Sequence, residues 1–90
     1  MVRLKPSIRP TETYTETNFL RLHTSEVDNE SERLVTLEHL SFGAKSAGSA
    51  GWSCLTIVDG ERMTRKDAVF IARSYAVEYG IPVIYECHSD

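Results

Sequence analysis

The chain has 90 residues, 41% hydrophobic and 26% charged, with a formal net charge of −3 at pH 7. That describes one small, ordinary globular domain whose core is thin, so that pairing with a partner is a natural source of added stability. The slight acidity excludes any global pull toward nucleic acid or an anionic membrane.

Residues 1–10 carry Arg3, Lys5 and Arg9 with no acid, together with two prolines and no apolar period. They read as a flexible arm ahead of a domain spanning residues 11–90. The positive charge there precedes no apolar run, so the segment does not read as a secretory signal. The longest purely apolar run, Ala68–Ala72, is far too short to cross a bilayer. Cys54 and Cys87 lie far apart with no CxxC spacing, which fits a cytoplasmic chain with reduced thiols.

The threonine-rich stretch Thr11–Thr17 suits an extended edge or more tail. After it, alternation predicts a strand over about Thr17–Thr24. Leu20 and Leu22 fall on one face, and Phe19, Arg21 and His23 on the other. Ser25–Ser31 is a polar acidic turn. Glu32–Phe42 has no clean period. As a strand it places Leu34, Leu40 and Phe42 on one face and Val35 and Leu37 on the other, and its β-branched Val35 and Thr36 favour that assignment, with a bulge. Gly43–Gly51 reads as a mobile connector, and its glycines match neither GxxxxGK[ST] nor GxGxxG.

Trp52–Val58 is a strand followed by an Asp59–Gly60 turn signal. Trp52, Cys54 and Val58 share one face and Leu55 and Ile57 the other, the pattern of a central strand covered on both sides. Thr64–Gly80 then reads as one complete helix. Thr64 is the N-cap, Asp67 complements the dipole three residues on, Gly80 is the C′ residue and Pro82 follows the end. Ile81–Cys87 is the last strand, with Val83, Tyr85 and Cys87 on one face. Strand, helix and strand over Trp52–Cys87 form a βαβ unit if the two strands are parallel neighbours.

The fold expected is therefore α+β: a three- to four-stranded, mostly antiparallel sheet with one main helix, in the order β-β-β-α-β. The competing order, β-α-β-α-β, makes Glu32–Phe42 a helix.

At about 100° per residue, Ala68, Ala72, Ala76, Val69, Ile71, Tyr75 and Tyr79 occupy the helix side that should face the sheet. Phe70 and Val77 fall on the opposite, polar side, aligned two turns apart among Lys66, Arg73 and Ser74. Isolated surface apolar residues are ordinary, but an aligned pair in one stripe points to contact with a second copy or a small protein partner. Phe70, Val77, Arg73 and Lys66 are the contact residues this reading selects. The alternative is an anion- or nucleic-acid-binding module built on Arg62, Arg65 and Lys66 at the helix start, where free N–H groups favour anions and Phe70 offers a stacking surface.

No catalytic motif and no cofactor-binding pattern is evident. The metal-ligand pool, His23, His39, His88, Cys54 and Cys87, has no zinc spacing, and the two cysteines read as small buried hydrophobes. The sequence thus leads to a small interaction module, self-associating through the helix stripe or an exposed sheet edge, rather than to an enzyme.

Overall fold

The computed structural model describes residues 2–6, 17–26, 32–44 and 50–89. In chain order its elements are β1 (Arg3–Pro6), β2 (Asn18–Glu26), β3 (Glu32–Ala44), β4 (Ala50–Thr64), α1 (Arg65–Tyr79) and β5 (Val83–Ser89). The five strands form one sheet in the order β1-β5-β2-β3-β4. β2, β3 and β4 make an antiparallel meander, while β5 inserts beside β2 and pairs in parallel with both β2 and β1.

The α+β class, the single main helix and the strand assignment of Glu32–Phe42 agree with the pattern in the sequence. The sheet differs from expectation in being mixed and in having a fifth strand. That strand comes from the segment expected to be a flexible arm: Arg3–Pro6 pairs with Val83–Glu86, and Val2 and Leu4 pack against the core. Its few apolar residues alternate over too short a run to give a period, and it is held by pairing with its parallel neighbour β5 and by the packing of Val2 and Leu4 on the core. Residues 1 and 7–16, the rest of the expected arm and most of Thr11–Thr17, lie outside the described residues, as do residues 27–31 of the expected acidic turn.

β4 carries the other corrections. It spans fifteen residues and runs straight through the Asp59–Gly60 signal. The register against β3 slips between Val35 and Leu37 and again between Leu37 and Glu38, each time leaving one extra residue on β4. Gly60 has φ 64°, a left-handed conformation open to glycine, so the turn signal is a bulge signal. The glycine-rich stretch is also partly strand, with Gly43 opposite Gly51 and Ala44 opposite Ala50. Residues 45–49 lie outside the described residues.

β4 is moreover an edge strand, not the central strand its two apolar faces suggested. β4 and β5 point the same way but are separated by β3 and β2, so α1 crosses the sheet rather than joining neighbours. Cys54 and Cys87 are then three strand spacings apart across the sheet, about 14 Å, and four residues out of register, about 13 Å along the strands, and both are free.

The core lies between the sheet and α1. Leu20, Leu22, Val35, Leu37 and Ile84, each at most 1% exposed, meet Ala68, Ala72 and Ala76. On the opposite face Phe19, Val83 and Tyr85 form a second buried cluster with Leu40 against it. Both helix ends are closed as the sequence requires. The Thr64 hydroxyl accepts a hydrogen bond from the Asp67 N–H at 3.1 Å. Gly80 adopts φ 67°, and the Ile81 N–H donates to the Ala76 carbonyl at 2.8 Å, a Schellman closure.

Candidate interaction surfaces

α1 touches the sheet through three alanines spaced four apart, all at most 1% exposed. Small side chains bring the helix axis close to the sheet. Val69, Ile71 and Tyr75 become half-buried flanks packed on the core. Tyr79, expected on the buried side, is 59% exposed because it stands at the helix's last residue, with its ring 4.4 Å from that of Tyr75.

On the outer side, Phe70 is 71% and Val77 73% exposed, the largest values among the exposed large hydrophobic residues described. Lys66, Phe70, Arg73 and Val77 follow the i, i+4, i+7, i+11 spacing of one helical seam, so the selected contact residues do share one stripe.

The basic residues at the helix start do not converge. The Arg65 guanidinium donates to both carboxylate oxygens of Glu86, at 2.6 and 2.7 Å. Glu86 is only 8% exposed. The hydrogen bond from Arg65 holds the Glu86 carboxyl below the usual carboxylate range, and the same bond raises the Arg65 pKa. Arg62 lies on β4 opposite Leu34 and next to Met63, which packs against the helix-side core; strand alternation therefore turns Arg62 to the other sheet face. Lys66 is exposed on α1.

Arg65 belongs instead to a polar cluster at the C-terminal ends of the parallel strands β2 and β5. His88 Nδ1 lies 2.9 Å from Thr24 Oγ1 and 3.4 Å from an Arg33 guanidinium nitrogen, while its Nε2 is 3.6 Å from Glu86. Sequence reasoning missed this cluster. Alternation places Glu86 and His88 on one face of β5, but only the parallel β2–β5 pairing brings Thr24 to them. Thr24 is fully buried, so its hydroxyl is not presented to an outside substrate.

On the sheet face away from α1, Arg21 donates to Glu38 at 2.8 and 3.0 Å, and the Cys54 thiol donates to the same carboxylate at 3.3 Å. Burial pushes Glu38 up, but the hydrogen bonds from Arg21 and Cys54 outweigh it and leave the carboxyl below its ordinary range. Burial, the bond to Glu38 and the Glu38 charge all push the Cys54 thiol up, the reverse of an activated nucleophile. Cys54 is exposed and Cys87 half-buried, so neither is the buried hydrophobe expected. Among the described residues no three His, Cys, Asp or Glu side chains are placed to hold one metal ion, and no helix is long and apolar enough to cross a membrane.

The fourth surface is the free edge of β4. Among the described residues β4 pairs only with β3, and every residue from Trp52 to Thr56 is exposed. Trp52 remains 43% exposed although its ring packs on Phe42 at 5.5 Å and Phe19 at 5.6 Å, and Leu55, on the helix side, is 58% exposed.

The chain matches no protein-family model, no curated protein and no solved structure.

Proposed function

We propose that this protein is a small interaction module that associates with copies of itself, its contact formed by the outward stripe of α1 or by the free edge of β4. The observation that carries this reading is the large apolar surface left uncovered on so small a domain. Phe70, Val77 and Leu55 are 71%, 73% and 58% exposed. Covering such groups is the main attraction available to a protein–protein contact. The two free thiols and the basic–acidic–basic charge order are compatible with a reduced, cytoplasmic setting and with an oriented self-contact.

The competing anion-binding reading loses its central residue, because Arg65 is engaged by Glu86 in a two-pronged ion pair. Molar mass by light scattering at low and at high salt tests the choice. An apolar contact keeps its dimer mass as salt rises. A chain that is monomeric alone and binds single-stranded nucleic acid, with affinity falling steeply as salt rises, supports the competing reading instead.

A further inference from the structure

Within the self-association just proposed, on which this step rests, we infer that two copies join edge to edge through β4, antiparallel about a two-fold axis at Ser53, extending the sheet to ten strands. An exposed strand edge is a row of backbone donors and acceptors whose natural occupant is another strand. The two edges of this sheet are unequal. β1 is four residues long and ends on Pro6, which has no N–H to donate. β4 is fifteen residues long, and its stretch Ala50–Val58 contains no charge and no proline. The usual devices that blunt an edge begin only past Thr56, with one bulge between Thr56 and Val58, a second between Val58 and Glu61, and the charged Asp59, Glu61 and Arg62.

The bulges also fix the register. Between Ala50 and Thr56 the ladder against β3 is regular, and beyond Thr56 it slips. A symmetric pairing confined to the regular seven residues centres on Ser53. It sets Trp52 opposite the partner's Cys54, Gly51 opposite the partner's Leu55 and Ala50 opposite the partner's Thr56. Trp52 and Leu55, left 43% and 58% exposed in the single chain, are then covered from the side. No charged residue lies within the paired stretch, so the contact carries no like-charge penalty.

The helix stripe lacks this fit. Pairing it about a two-fold with Phe70 near the partner's Val77 places the axis between Arg73 and Ser74, so two Arg73 side chains approach each other.

Two single-cysteine probes on the full chain separate these arrangements, both in a Cys54→Ser, Cys87→Ser background. Ser53→Cys sits on the axis of the edge dimer, where facing Cα atoms fall within disulfide reach. Ser74→Cys sits beside the axis of the stripe dimer. Under mild oxidation the edge dimer predicts rapid disulfide linkage of Ser53→Cys and slow linkage of Ser74→Cys.

In the otherwise natural chain, Leu55→Lys should raise the dimer dissociation constant about tenfold or more, whereas Phe70→Glu should not. Circular dichroism checks the fold of each variant, and if Leu55→Lys unfolds, the cysteine probes decide alone. Rapid linkage of Ser74→Cys with loss of the dimer in Phe70→Glu overturns the edge contact but keeps self-association. A natural chain that is monomeric throughout, with neither probe linking, overturns both.

Discussion

Arg65 shows how a residue's surroundings reassign it. By sequence it belongs with Arg62 and Lys66 at a helix start, an apparent anion cradle. In the fold it is the partner of Glu86, a carboxylate brought in from β5 and only 8% exposed. Arg65→Ala leaves that carboxylate buried without its guanidinium, and the loss of charge-assisted hydrogen bonds should cost about 1–3 kcal/mol in urea melts. A change below about 0.5 kcal/mol would show that the pair is only a surface contact.

The same pair has a pH signature. Because the folded-state pKa of Glu86 is lowered, its contribution is complete above the ordinary glutamate value, 4.5, and is lost as pH falls through the folded-state value. Glu86→Gln should therefore lose less stability on acidification below about pH 4.5 than the natural chain does. Equal acid sensitivity in both proteins would remove Glu86 from that account. None of this could be read from composition, since Arg65 and Glu86 meet only once β5 is inserted beside β2.

At the scale of elements, α1 was the most legible because its signals are local. Thr64, Asp67, Gly80 and Pro82 mark its ends within a turn of where they act. Gly80→Ala places a side chain at φ 67° with open space around it, so the loss, about 1 kcal/mol, should be purely conformational. A melt unchanged by Gly80→Ala would mean the closing turn is not held left-handed.

The alanine line is a second constraint. Ala72 is fully buried against the sheet, and Ala72→Leu should destabilise by about 1–3 kcal/mol through overpacking, whereas Ser74→Leu on the exposed side should change stability by less than about 0.5 kcal/mol. Equal effects of the two would mean α1 is turned differently.

Alternation also placed β2 and β5, while β3, whose apolar residues fall on both faces without a clean period, was assigned as a strand on its β-branched Val35 and Thr36. Alternation failed for β4, where apolar residues on both faces normally mean a covered central strand. Here they stand on an edge, and Gly60 bends the strand at a bulge instead of ending it. β1 was illegible for the opposite reason: four residues with a proline carry almost no pattern, and pairing with β5 supplies what the segment lacks.

For the whole molecule, strand order is the property that local pattern could not supply. Nothing in the spacing of Trp52–Cys87 says that α1 should carry the chain over two intervening strands before β5 pairs with β2 and β1. That order is what leaves β4 at the margin, with Trp52–Thr56 exposed, while one face of α1 buries only alanines and the other presents Phe70 and Val77. The candidate contact residues of the helix stripe were readable from the wheel, but the sheet edge became a specific candidate only with the topology.

The central claim, that the chain completes its surface against a second copy, is tested most directly by sedimentation equilibrium of the natural protein from micromolar to about millimolar concentration. The account predicts a mass rising with concentration toward twice the 10.2 kDa of one chain and no further. A mass that stays at 10.2 kDa over the whole range would contradict it.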